Sequence, residues 1–193
     1  MRHDGRVSPN TSSRTVIVAV EPADTAGDAA TVEAIAALVN RVYEHAEAGL
    51  WADGAQRTSS REVAELVADG QIATARVGDR IVGAVRLRPL DQDVAEFGML
   101  AADPEWRGLG VGRELVAFVE ARAAASGHSI MQLELLVPRG WTHPSKEFLR
   151  AWYGRLGYRE VRTTHLEELY PDLAPLLATP CDLGVYRKAL GPR

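Results

Sequence analysis

With 193 residues, 46% of them hydrophobic and 25% charged, the chain has the size and composition of one soluble domain with a substantial core. Its net charge of −4 supplies no broad positive surface to offset phosphate repulsion, which argues against nucleic acid as a partner. No apolar run is long enough to span a membrane, and the one cysteine, Cys181, excludes an intrachain disulfide and a cysteine-based metal cluster. Residues 1–14 are polar, with Gly, Pro and Ser and no apolar core of a signal peptide. They are expected as a disordered arm, with a cytoplasmic setting as the default.

No repeat or linker divides residues 15–190, so one domain is expected there. Residues 15–20 (TVIVAV) predict a β-branched strand. Residues 31–45 carry Val32, Ile35, Leu38, Val39 and Val42 at helical spacing, continued by Ala46. Residues 59–68 predict a second helix: Ser59 and Glu62 have capping-box spacing, and Gly70 stands where a C-cap belongs. A hairpin follows over 72–77 and 80–87, joined by Gly78-Asp79, with Ile81, Gly83, Val85 and Leu87 at alternate positions. Next come a strand over 94–101, a glycine-rich turn and a helix over 111–125. The strand over 130–137 turns Met131, Leu133 and Leu135 to one side and Gln132 and Glu134 to the other. Residues 145–156 predict a helix with Phe148, Leu149, Trp152 and Leu156 on one face, before closing strands at 159–164 and 181–189. The meander in the middle implies an α/β fold with a mixed rather than purely parallel sheet.

The turn Arg107-Gly108-Leu109-Gly110-Val111-Gly112 ends a strand and opens a helix, which leaves backbone N–H groups unpaired at the positive end of the helix dipole. Such a turn binds phosphate oxygens, and Arg107 and Arg113 bracket it. A dinucleotide fingerprint fails because Arg113 and Leu115 stand where its third glycine belongs, and no lysine follows to make a P-loop. What remains is R-x-x-G-x-G after a strand: an anion site of unnamed ligand, or a tight turn that serves packing alone.

Two further segments flank this turn in the chain. One is Ala95-Glu96-Phe97-Gly98-Met99-Leu100-Ala101-Ala102-Asp103-Pro104, and the other is Phe148 through Tyr158, ending Trp152-Tyr153-Gly154-Arg155-Leu156-Gly157-Tyr158. Together, in this order, the three resemble the GNAT superfamily of acyl-CoA-dependent N-acyltransferases, and the resemblance covers residues 15–190. It implies a single GNAT-like α/β mixed (α+β) domain, with a mostly antiparallel mixed sheet of about seven strands flanked by about four helices. It further implies that the fourth strand splays from the fifth, so that the backbone of Met99, Leu100 and Ala101 hydrogen-bonds the pantetheine of the cofactor. The turn Arg107, Gly108, Leu109, Gly110, Val111, Gly112 and Arg113 then holds the CoA pyrophosphate. Acetyl-CoA is the implied co-substrate, without a metal.

Acyl transfer to an amine needs the amine neutral, donors for the developing oxyanion and a proton for the leaving thiolate. The resemblance puts Glu96 forward as the base; its alternative is a strand carboxylate paired with Arg86 or Arg88. Glu134 is the backup base. Tyr153 matches the family's general acid, against the alternative of a core aromatic beside Phe148 and Trp152. The Leu100 amide is the implied oxyanion donor. The loop 138–145 lacks an asparagine that many relatives use, so His143 or Ser145 stands in its place, either as a site residue or simply at the start of the helix.

Residues 44–57, with Glu47, Trp51 and Asp53, would give an acidic and aromatic lip for a cationic acceptor; the alternative is a hydrophobic plug at Leu50-Trp51. The expected activity is N-acetylation of a primary amine on a small molecule or peptide by direct attack on the thioester. The competing expectation is a non-catalytic acyl-CoA-binding sensor or interaction module. A homodimer is left open.

Overall fold

β1 (Ile17–Val20) leads through α1 (Ala29–Ala46) and α2 (Ser60–Ala68) to a meander of β2 (Ile72–Val77), β3 (Arg80–Pro89) and β4 (Val94–Ala102). Then follow α3 (Val111–Ala125), β5 (Ile130–Pro138), α4 (Pro144–Arg155), β6 (Arg159–His165), the single turn α5 (Leu166–Leu169) and β7 (Cys181–Ala189). These elements belong to a computed structural model that describes residues 15–191; the arm expected over residues 1–14 lies outside the described residues. The seven strands form one sheet in the order β1-β2-β3-β4-β5-β7-β6. Every neighbouring pair is antiparallel except β4 and β5. Among the described residues no helix is long and apolar enough to cross a membrane.

Helices cover both sheet faces. On one face, Val32, Ile35, Ala36 and Val39 of α1 and Val63, Leu66 and Val67 of α2 pack with Ile72, Ala84, Met99 and Ala101. Asp28 starts α1 by accepting from the Ala30 amide at 3.1 Å. On the other face, Val111, Leu115, Val116, Val119 and Ala123 of α3 pack on Val82, Val85, Ala95, Phe97, Met131, Leu133 and Leu135. Full burial of each aliphatic side chain contributes about 1.5–3 kcal/mol. A β carbon at Gly83 would lie 2.7 Å from Val111 and 2.9 Å from Leu115, so glycine is what lets α3 seat on β3. A third cluster of Leu50, Leu136, Leu166, Cys181 and Leu183 closes the far ends of β5 and β7, with Cys181 fully buried in it.

Two local expectations are corrected. Phe148 is not part of the buried face of α4: it is 63% exposed. The inward stripe is instead Lys146, Leu149, Tyr153 and Leu156, spaced i, i+3, i+7, i+10, with Trp152 at its edge. The capping box at α2 is half formed. Ser59 Oγ accepts from the Glu62 amide at 3.2 Å, but the Glu62 carboxylate takes the Thr58 hydroxyl at 2.9 Å instead of reaching back. β7, last in the chain, lies between β5 and β6 and leaves β6 as an exposed edge.

Candidate active site

The β4–β5 pair holds through three registered positions: Val94 with Ile130, Ala95 with Met131 and Glu96 with Gln132. Beyond them β4 stays paired with β3, and β5 with β7, out to Ala102 and Pro138. The strands have therefore parted, and the β5-facing edge of β4 over residues 97–102, Met99, Leu100 and Ala101 included, has no partner strand. A bulge marks the same stretch. The β3–β4 register shifts between Ala84 and Arg86, and Met99 adopts φ 51°, a left-handed conformation that costs a non-glycine residue about 1 kcal/mol or more. Its buried side chain offsets that strain.

At the mouth of the gap the chain enters the glycine turn. Asp103 is buried, caps the Glu105 amide at 3.0 Å and is held by Arg41 at 3.2 Å, which fixes the approach. Gly108 (φ 92°) and Gly110 (φ 75°) take left-handed backbone, and Gly110 starts α3 with no side-chain cap. Among the described residues, no acceptor in the chain takes the amides of Gly108, Gly110, Val111, Gly112 or Arg113. No atom lies within 4 Å of the position a β carbon would occupy at Gly108 or Gly110. Arg107 and Arg113 are exposed and have no carboxylate within 4 Å among the described residues. Five amides and two guanidinium groups without an acceptor among the described residues, beside open space at a helix start, fit a diphosphate. Leu109 and Val111 pack inward and anchor the turn. Gly112 passes 3.6 Å from Trp152, counted from where a β carbon would stand, and so ties the turn to α4.

Two phenols converge on the bulge. Tyr153 of α4 is buried among Phe97, Trp152 and Tyr158, with ring centroids 5.0–6.0 Å away. Its hydroxyl has no hydrogen-bond partner in the described chain. Burial, with a smaller contribution from Tyr43, pushes its pKa far above the usual phenol range, so the proton stays on. Tyr43, near the end of α1, was not singled out from the sequence. Burial raises its pKa too, opposed by the Arg57 guanidinium 5.3 Å over its ring and by the Leu100 amide beside its oxygen.

The sheet face under α1 and α2 carries a polar cluster at the gap. Glu96 is buried and both its oxygens are engaged: Oε1 accepts from Arg88 Nε and Nη2 at 2.9 and 2.7 Å, and Oε2 from Gln132 Nε2 at 3.0 Å. The pairing weighed for Glu96, with an arginine on β3, is thus present. Glu134 stands two residues further along β5 and accepts the Tyr170 hydroxyl at 2.7 Å. Burial raises its pKa above the usual carboxylate range, opposed by that hydrogen bond and by Arg88 and Arg162, and reinforced by Glu96. Burial and the Glu134 carboxylate hold the Tyr170 phenol at about 12.

The acidic lip expected at residues 44–57 is corrected. Glu47 turns inward, 8% exposed, and pairs with Lys146 of α4 at 2.5 Å while accepting the Trp51 indole. It is a buried structural charge. Asp53 alone of the pair stays exposed, and Trp51 bridges to Leu177 of the β6–β7 connection. His143 caps α4: Nδ1 accepts from the Ser145 amide, so Nε2 carries the hydrogen that faces the Ala48 carbonyl at 3.2 Å. Both ring nitrogens are thus committed to holding the α1–α2 connection against α4. Among the described residues no group of three or more His, Cys, Asp or Glu is placed to hold a metal ion.

An anion cradle at the mouth of a parted strand pair is the architecture of an acyl-CoA-binding transferase domain. The chain belongs to the acetyltransferase (GNAT) family, whose model matches residues 34–158. It is an acyltransferase by that membership, with acetyl-CoA as donor and an amine as the acceptor class. Solved structures share the fold at low identity. N-acetylglutamate synthase from Neisseria gonorrhoeae, complexed with coenzyme A and N-acetyl-glutamate, aligns at 18% identity and TM-score 0.61 over 92% of this chain. The chain spans 35% of that synthase's length. An aminoglycoside 6'-N-acetyltransferase complexed with coenzyme A aligns at 16% identity and TM-score 0.64, over 85% of this chain and 93% of its own. Ard1 from Thermoplasma volcanium aligns at 13% identity and TM-score 0.61, over 91% and 98%. No curated protein matches the chain.

Proposed function

We propose that the protein transfers an acetyl group from acetyl-CoA to a primary amine of a small molecule or peptide by direct attack within the β4–β5 gap. The observation that carries this reading is the gap itself, with its uncapped glycine turn at one end and two carboxylates and a buried phenol at the other. Acetyl-CoA supplies the activated acyl carbon; everything else falls to the chain. The amides of Gly108, Gly110, Val111, Gly112 and Arg113, with Arg107, hold the diphosphate, while Leu109 spends its amide on the Trp106 carbonyl and anchors the turn. The free edge of Met99 to Ala101 takes the pantetheine amides as an added strand would.

An amine of pKa about 10.4 arrives protonated at neutral pH and must lose a proton to attack. Glu134 takes it, directly or through water, because burial gives this carboxylate the higher proton affinity that a base near neutral pH needs. Glu96, first in line from sequence, acts beside it as a fixed negative charge on the Arg88–Gln132 frame. The nitrogen forms a bond to the acyl carbon, the Leu100 amide faces the oxygen, and the carbon–sulfur bond breaks. Tyr153 gives its proton to the departing sulfur, and the second proton, shed by the nitrogen as the amide forms, restores the phenol.

Thiol release from acetyl-CoA in the presence of an amine panel tests this. Amine-stimulated release supports it. Tight acetyl-CoA binding with no release from peptides, polyamines, amino acids or aminoglycosides would favour an acyl-CoA sensor instead. A cytoplasmic, homodimeric enzyme is the setting proposed with it.

A further inference from the structure

Building on the acetyl-transfer reading, we propose that the acceptor is an amine that bears a carboxylate, an amino-acid-type molecule, held through that carboxylate by Arg86 and Arg57 in the open space over Gly98. Gly98 lies mid-strand in β4, yet nothing stands within 4 Å of where its side chain would begin. A strand interior in a covered sheet face is ordinarily filled, so this void is a built space rather than an accident of packing.

The walls of that space carry charge in a definite order. Arg86 is the registered partner of Gly98 across the β3–β4 ladder, so its side chain rises on the same face. Its Nε donates to Gln71 Oε1 at 2.8 Å, which fixes the guanidinium plane. Arg88, two residues on, is neutralised by Glu96. Arg86 is not: among the described residues no carboxylate comes within 4 Å of it, nor of Arg57 at the rim. Burial, then Arg88 and more weakly Arg57, disfavour the Arg86 charge, and the more distant Glu62 and Glu96 carboxylates offset only part of this, a cost that an anionic ligand in contact would relieve.

The opposite wall is acidic. Glu96 pairs with Gln132 at the last joined position, so two residues on Gly98 and Glu134 stand opposite each other across the gap. The space over Gly98 therefore has the Arg86 guanidinium on its β3 side and a carboxylate on its β5 side, with Arg57 reaching in from the α1–α2 connection, where it stacks on Tyr43. A zwitterionic amino acid matches both, with its carboxylate towards β3 and its amine towards Glu134 and the bulge. A diamine matches one wall and repels the other. Glu47, which would have drawn a polycation, is already consumed by Lys146.

Matched acceptor pairs test the assignment: leucine and isoamylamine, phenylalanine and phenethylamine, lysine and cadaverine, arginine and agmatine. Thiol release should favour the carboxylate-bearing member of a pair by about tenfold or more in kcat/KM, the scale of a lost charge-assisted hydrogen bond. Arg86→Gln should cost about tenfold through KM for the acid, leave the decarboxylated amine unchanged, and be partly rescued by Arg86→Lys. Arg57→Gln, on an exposed side chain, should act in the same direction without risk to folding. Preference for the amines without carboxylate, or equal losses for both members in the arginine variants, would overturn the proposal. So would acetylation of no carboxylate-bearing amine by protein that binds acetyl-CoA. Failure of acetyl-CoA itself to bind would instead overturn the functional reading beneath it.

Discussion

Glu96 and Gln132 are the last residues that join β4 to β5, and their side chains are hydrogen-bonded at that very position, at 3.0 Å. Gln132 also accepts from Arg187 Nε at 2.8 Å, so it ties the parting point to β7. Gln132→Leu leaves Glu96 one partner short and Arg187 without its acceptor. The expected cost is about 1–3 kcal/mol, which at this chain length lowers Tm by roughly 2–4 °C per kcal/mol. Thermal unfolding by circular dichroism measures it; an unchanged Tm would mean that the pair does not hold the strands at the gap.

Tyr153→Phe separates chemistry from packing. The hydroxyl makes no hydrogen bond among the described residues, so its loss should leave Tm within about 1–2 °C. Activity should fall by about 10²-fold or more in kcat, the usual scale for a positioned acid, with KM for acetyl-CoA little changed. Full turnover in the variant would remove the acid role and leave Tyr153 as a core aromatic.

Glu134 gives the protein a pH signature of its own. Burial raises this carboxyl above its ordinary value of 4.5, with Glu96 adding to the rise and Tyr170, Arg88 and Arg162 opposing it. The folded state therefore binds more protons than the unfolded one between the two pKa values. Stability falls as pH rises from about 4.5 through the raised folded value, and the loss persists above it. Glu134→Gln keeps an acceptor for Tyr170 and removes the charge. Its Tm should exceed that of the parent by about 1–3 °C at neutral pH, and the gap should close at pH 4. In the amine assay the same variant should lose the rise of activity with pH that the base imposes on the acidic limb, with a fall of about 10²-fold at neutral pH. A Tm difference independent of pH would contradict the assignment of a raised pKa.

Lys146 and Glu47 are 3% and 8% exposed, so removing one alone strands a buried charge. Lys146→Met should cost about 3–5 kcal/mol, whereas the double variant Lys146→Met with Glu47→Gln should recover most of it. Urea denaturation of the single and double variants distinguishes this from simple loss of packing, in which the double variant would be the less stable.

The sequence made those elements legible whose causes are local. α3 begins and ends where the glycine turn and the apolar spacing place it, over Val111–Ala125, and the Gly78-Asp79 hairpin follows its turn chemistry. What long-range packing decides was hidden. Phe148 has helical spacing with Leu149 and Trp152, but a neighbouring stripe through Tyr153 wins the core. Met99 rather than the adjacent Gly98 takes the left-handed backbone, because the bulge position is set by β3 and the buried side chain repays the strain. Tyr43, Arg86 and Glu134 come from three separate elements and Arg57 from the α1–α2 connection, and nothing in their spacing announces the common site proposed for them. Glu47 looked like a surface acid because its counter-ion, Lys146, is 99 residues away. Of these, Glu134 is visible from the sequence as the backup base, and Arg86 as a possible partner of Glu96, beside Arg88 on the same face of β3.

Whether the glycine turn and the parted strands form the acetyl-CoA site is decided by titration calorimetry of acetyl-CoA into parent and Gly110→Asp protein. The new carboxylate enters the open space over the unpaired amides and repels a diphosphate. The parent should bind acetyl-CoA and the variant should bind it about tenfold or more weakly, with both proteins folded. Equal affinity in the two proteins, or no binding to the parent, would contradict it.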